Sequence, residues 1–198
     1  MHKILIAYAS MAGSTTEIAQ AITEEIAKAG LQVDVLPLGQ VKTLENYTGV
    51  IVGAPMIMGW HRSALGFLRK HRRALQQIPL AVFVTAMSLT RTAETNVEGI
   101  PVFVDERLPK MPANAARLTF RERYATLSNY LRPIIRAAQP AKPVSIGVFG
   151  GRLEYGRLPW WAVLFAMVII QAPAGERRNW PAIQSWAADL TSTFQSGE

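Results

Sequence analysis

The sequence predicts one α/β domain over residues 1–198, a five-stranded parallel sheet of order 2-1-3-4-5 wound on both faces by helices. Three observations predict it. Short continuous apolar runs recur along the chain, as expected of strands buried on both faces. Segments with apolar residues at helical spacing separate them, and this alternation builds a parallel sheet through right-handed crossovers. The chain is 49% apolar and 18% charged, without cysteine, which is too apolar for disorder and long enough to bury one core unaided.

The first strand is the apolar run Ile4 to Tyr8. Ile18, Ile22 and Ile26 recur every four residues behind it and define the first helix, which Gly30 ends. Ser14 and Glu17 have capping-box spacing at its start. Leu31 to Leu36 alternates until Pro37, a second strand, and Gly49 to Gly53 is a third. His61 to Leu75 reads as a helix with Leu65, Leu68 and Leu75 inward and Arg69, Lys70, Arg72 and Arg73 outward. Leu80 to Val84 is the fourth strand. Residues 88–118 hold Pro101, Pro109 and Pro112 and show no long period, so they read as an inserted loop. Thr119 and Glu122 offer a second capping box, ahead of a helix through Tyr124, Leu127, Leu131 and Ile135 that Pro133 should kink or limit. Val144 to Phe149 is the fifth strand, and Ile183, Trp186, Leu190 and Phe194 mark a C-terminal amphipathic helix.

Composition excludes several chemistries. Without cysteine there is no disulfide, Cys-zinc site, iron–sulfur cluster or thiol nucleophile. His2, His61 and His71 are the only histidines, and no G-x-S-x-G, G-x-G-x-x-G or Gly-Lys-Ser/Thr occurs, so neither a catalytic nor a metal residue is nominated. The net charge is +7, carried by residues 61–198, which suits an anionic small molecule or lipid surface; no nucleic-acid partner is expected. The start MHKILIAYAS has too short an apolar run for a leader, and the missing cysteine suits the cytosol. Leu158 to Ala172 is uncharged but too short to span a bilayer; it reads as a buried helix or an interfacial segment on the inner face of the cell membrane.

In this sheet order, ligands bind beyond the carboxyl ends of the strands, where the order reverses. The loop there, Ser10, Met11, Ala12, Gly13, Ser14 and Thr15, opens a helix. It is either an ordinary capped turn or an anion cradle of amides and hydroxyls. Pro55, Met56, Ile57, Met58, Gly59 and Trp60 follow the third strand, and their thioethers and indole either pack beneath the loop or contact a flat apolar ring. Thr85, Ala86, Met87 and Ser88 follow the fourth strand, and Gly150 and Gly151 the fifth. Arg91, Arg152 and Arg157 are either solvated or poised for substrate carboxylates.

YASMAGSTTEIAQAI, Tyr8 to Ile22, resembles the flavodoxin signature, with Tyr8, Ser10, Gly13, Thr15, Ala19 and Ile22 at its positions. Ala7 stands where that family usually has a larger residue. VIVGAPMIMGWHRSALGFLRKH, Val50 to His71, and FGGRLEYGRLPWWAVLFAMVI, Phe149 to Ile169, are similar to segments of the menaquinone-dependent protoporphyrinogen oxidase family. Pro173 to Trp180, PAGERRNW, departs from the acidic, Thr-rich stretch that family often carries. The resemblance implies a flavodoxin-like fold, with FMN phosphate on Ser10–Thr15 and its ring between the Pro55–Trp60 and Thr85–Ser88 loops. It also implies oxidation of protoporphyrinogen IX, or a similar reduced porphyrin, by a quinone. The alternative is a flavodoxin-like electron carrier that docks a redox protein.

Overall fold

A computed structural model describes residues 3–57, 59–153 and 175–195. Met58, Tyr155, Arg157 and the apolar stretch Leu158–Ala172 lie outside the described residues. The central sheet holds β1 (Lys3–Tyr8), β2 (Gln32–Pro37), β3 (Gly49–Pro55), β4 (Leu80–Ala86) and β9 (Ser145–Gly150). They lie in the order β2-β1-β3-β4-β9, all parallel, so the predicted core order holds. Helices α1 (Ser14–Lys28) and α5 (Trp180–Gln195) cover one face, and α2 (Arg62–His71) and α4 (Leu127–Ala138) the other.

Side chains in these strands alternate between two cores, because successive residues of a strand point to opposite faces. Ile4, Ile6, Ile51 and Phe83 pack with Ile18, Ile22, Trp186 and Phe194. Leu5, Val50, Val52 and Val82 pack with Phe67, Leu68, Leu131 and Ile134. A continuous apolar run in the sequence is therefore two interleaved stripes. Gly53 leaves room on the first face for the Phe83 ring, which a Cβ there would meet at 1.9 Å.

The structure corrects four expectations. Among the described residues the sheet has seven strands, because residues 88–118 are not a loop. They supply β5 (Leu89–Thr90) and β8 (Pro109–Lys110), which pair with each other apart from the main sheet, and β6 (Asn96–Val97) and β7 (Ile100–Val104), which join it. β7 runs parallel to β9 and carries the sheet past its expected edge, and β6 turns back along it. Glu98 and Gly99 both take positive φ, 53° and 75°, as a two-residue hairpin turn requires. Pro101 is tolerated because β7 lies beside a two-residue edge strand.

Second, α1 has no side-chain cap; Gly13 is its N-cap at φ 88° and Ser14 is already helical, its hydroxyl used elsewhere. Third, the helix expected from Thr119 onward is two. The Thr119–Glu122 capping box opens α3 (Phe120–Tyr124), the chain breaks at Ala125, and Thr126 caps α4. Pro133 is carried inside α4, which continues to Ala138. Fourth, α2 stops at His71 and a short 3-10 turn, Ala74–Gln76, follows it.

Buried Asp105, just after β7, accepts hydrogen bonds from the Arg107 amide (3.0 Å) and Asn179 Nδ2 (2.9 Å), tying the inserted segment to the start of α5. Among the described residues no helix is long and apolar enough to cross a membrane.

Candidate functional site

The chain order reverses between β1 and β3, and a crevice open to solvent lies there beyond the carboxyl ends of β1, β3 and β4. The loop after β1 contributes Ser10, Met11, Ala12, Ser14 and Thr15 to its wall. Gly13 reverses the chain: its amide donates to Ser10 Oγ (3.0 Å), and its carbonyl accepts the first bond of α1 from Glu17 (3.1 Å). The left-handed φ is why glycine stands here. The amides of the first helical turn have no acceptor within the helix, and the macrodipole places ~0.5 of a positive charge on them.

Pro55, Met56 and Ile57 form a second wall and Thr85, Ala86 and Met87 a third. The Met56 amide donates to the Thr85 carbonyl (2.8 Å), holding these two walls at fixed separation. Thr15 Oγ1 and Thr85 Oγ1 lie 3.2 Å apart in a buried hydroxyl pair that ties the first wall to the third. Gly151 and Arg152 close the remaining side. The Gly151 amide donates to the Ala86 carbonyl (3.1 Å), and the Arg152 amide donates to Ser14 Oγ (2.9 Å).

Several residues predicted for the site do not line it. Trp60 is 3% exposed, and its indole N–H donates to the Ala54 carbonyl (3.0 Å), so it packs beneath the loop. Gly59 forms the turn itself, at φ 100°. Ser88 points its carbonyl to the Tyr130 hydroxyl (3.0 Å), behind the crevice. Gly150 makes room for the Arg177 carbonyl, which a Cβ would meet at 2.1 Å. Arg91 is exposed on a separate cavity beside β5 and β8, its amide bonded to the Lys110 carbonyl (2.8 Å). His61 caps α2, and the half-buried His71 ring packs tilted against Phe67 with centroids 4.6 Å apart; burial lowers both imidazole pKa values, with Lys70 adding to the effect at His71.

Residues outside those predictions hold the crevice in shape. The Tyr124 hydroxyl accepts the Gly59 amide (2.7 Å), and the Tyr124 and Tyr130 rings meet edge to face at 5.9 Å. Burial raises the pKa of both phenols, so both stay protonated at neutral pH. Behind β9, the short strands β10 (Arg152–Leu153) and β11 (Gly175–Glu176) pair antiparallel. The Arg177 amide donates to the Gly151 carbonyl (3.1 Å) and its Nη1 to the Met87 carbonyl (3.1 Å). Arg178 is 8% exposed and pairs with Glu17 and Glu176, and Glu17 also meets Arg152 Nη2 at 3.2 Å. Hydrogen bonds from Arg178 hold the Glu176 carboxyl below the usual carboxylate range. The signal for this group was the Glu-Arg-Arg run after Gly175.

Uncharged donors at a helix start, beside a slot walled by thioethers and aliphatic groups, can hold a phosphate monoester joined to a flat apolar ring. Residues 5–177 match the flavodoxin domain family. The chain is 25% identical to protoporphyrinogen IX dehydrogenase [quinone] of Escherichia coli (strain K12), over 95% of this chain and 94% of that one. It superposes on the two-electron reduced flavodoxin of Megasphaera elsdenii with a TM-score of 0.51 and 11% identity, covering 94% of this chain and 98% of that one. The flavodiiron core Flv1 of Synechocystis sp. PCC6803 superposes with a TM-score of 0.56 and 12% identity, over 100% of this chain but 37% of that one.

Proposed function

We propose that this chain, which belongs to the flavodoxin domain family, is an FMN-dependent oxidoreductase that oxidises protoporphyrinogen IX, or a similar reduced substrate, and delivers the electrons to a quinone. At the coarser level, it is a flavin-binding oxidoreductase or electron carrier. The observation that carries the reading is the crevice itself, with an uncharged Ser/Thr/Gly loop leading into α1 beside a wall that holds Met56 and Met87.

The donor set fits FMN. Ser10, Ser14 and Thr15 and the first-turn amides of α1 would take the phosphate, and Met56, Ile57, Ala86 and Met87 the ring. When bound, the flavin supplies the redox chemistry at its ring. The protein's part is to orient and to exclude water. The Met56–Thr85 backbone bond sets the slot width, and the Thr15–Thr85 pair fixes the phosphate end to it. Arg152, on the crevice wall, would meet a substrate carboxylate where its Glu17 pairing leaves guanidinium N–H groups over, with Arg91, on a separate cavity, open to a part of a large substrate beyond the crevice. The six protons and six electrons leaving a porphyrinogen reappear on three quinols, two of each per quinone, so no protein nucleophile is needed. The distant relative's printed activity supports the choice of substrate and acceptor.

The test is a flavin spectrum of the FMN-loaded protein, followed by reduced porphyrin with and without a quinone. Continuing porphyrin formation that needs the quinone is expected. A single bleaching without turnover would assign the carrier role instead, and no retained flavin would remove both.

A further inference from the structure

The loop that would take the phosphate, Ser10 to Thr16, holds no charged residue. The next residue is Glu17, a carboxylate in the first turn of α1, where a bound dianion would feel its repulsion. Glu17 is answered from the far end of the chain. Arg178, with a nearly buried guanidinium, pairs with Glu17 through Nη1 and grips Glu176 through Nε (2.7 Å) and Nη2. Its guanidinium lies 4.6 Å from the Trp180 ring centroid, which fixes its plane. Arg152 takes the other Glu17 oxygen at 3.2 Å while its own amide holds Ser14 Oγ. Arg152 and Arg178 thus answer Glu17 and Glu176 charge for charge behind an uncharged phosphate loop, while Arg177 directs its Nη1 to the Met87 carbonyl on the crevice wall.

We propose that Arg178 is a positioning residue that sets the preference of this crevice for a phosphorylated ligand. It turns Glu17 away from the helix start and neutralises it, so that the α1 amides and Arg152 present net positive potential to the phosphate. The proposal rests on the flavin reading above and adds to it a source of selectivity that lies outside the loop.

The experiment titrates the full chain, freed of flavin, with FMN and with riboflavin, which share a ring but differ in the phosphate. The wild-type chain should prefer FMN. Arg178→Gln should weaken FMN by about tenfold, as expected for roughly 1.4 kcal/mol, and riboflavin by less than about twofold. The salt dependence of FMN binding should flatten in the same variant, because Glu17 is no longer neutralised and offsets the positive potential at the phosphate. Arg178→Lys keeps the charge but not the fork and should recover part of the preference. Glu17→Gln, which leaves no buried charge unpaired by truncation of an arginine, should raise the FMN preference even if Arg178→Gln does not fold.

Equal loss of FMN and riboflavin in Arg178→Gln would make the residue merely structural and overturn the proposal. So would an unchanged or lower FMN preference in Glu17→Gln. A wild-type chain that binds both flavins equally would overturn this proposal alone, whereas one that binds neither would overturn the flavin reading and this proposal with it.

Discussion

At the scale of single residues, the site depends on glycines that yield space. Gly13 lets the chain reverse into α1, and Gly53 lets the Phe83 ring lie across β3. Gly53→Ala should therefore displace that ring and cost about 1–3 kcal/mol, since overpacking forces side chains off their rotamers. A lower urea midpoint with an unchanged slope would register this; an unchanged midpoint would mean that the ring relaxes freely. The glycine in the phosphate loop was legible in the sequence because a helix followed it. The fate of Trp60 was not. A tryptophan after a strand reads equally as a ring contact or as packing, and the choice lay with the Ala54 carbonyl that accepts its N–H.

At the scale of elements, the inserted segment does more than connect. β7 widens the sheet, and Tyr124 and Tyr130, at the end of α3 and within α4, reach the two loops on either side of the slot. Tyr124→Phe removes the acceptor of the Gly59 amide, worth about 1 kcal/mol. A turn next to the slot that loosens by this amount should weaken flavin binding by about fivefold while the thermal midpoint moves little. Unchanged affinity would show that the local Ile57–Gly59 backbone bond (2.9 Å) holds the turn alone. The sequence hid this segment because three prolines and a two-residue edge strand leave no period to detect. A five-residue strand such as Ile100–Val104 announces itself only when β9 is there to pair with it.

For the whole molecule, charge is polarised across the sheet. On one face, α2, the turn after it and α4 expose Arg62, Arg69, Lys70, Arg72, Arg73, Arg132 and Arg136. No Asp or Glu occurs in 46–93 or 123–153. On the other face, α1 carries Glu17, Glu24 and Glu25 against Lys28, and α5 carries Asp189. Such a face suits an anionic bilayer, where a quinone acceptor would dissolve, and each basic residue near the surface adds about 1 kcal/mol. The protein should sediment with vesicles containing phosphatidylglycerol, but not with phosphatidylcholine alone. It should detach at about 1 M salt, where the screening length is about 3 Å. Charge reversal at Arg69 and Arg73 should weaken the attachment; binding indifferent to salt and to these charges would exclude this face.

The order of apolar runs, helical periods and glycine punctuation by itself determined the parallel core of the sheet, the end at which the crevice opens and the loops that contribute to its walls. These are local properties: a strand buried on both faces and a helix start both write themselves into neighbouring residues. Tertiary structure alone decided what depends on distant partners. It moved Trp60 into the core, separated Arg91 from the crevice, turned a proline-rich loop into the sheet's extension and brought Arg178 to Glu17 across 161 positions. Hydrogen bonds and ion pairs act over a few ångströms of space, and spacing along a chain carries no record of which far segment will fill that space.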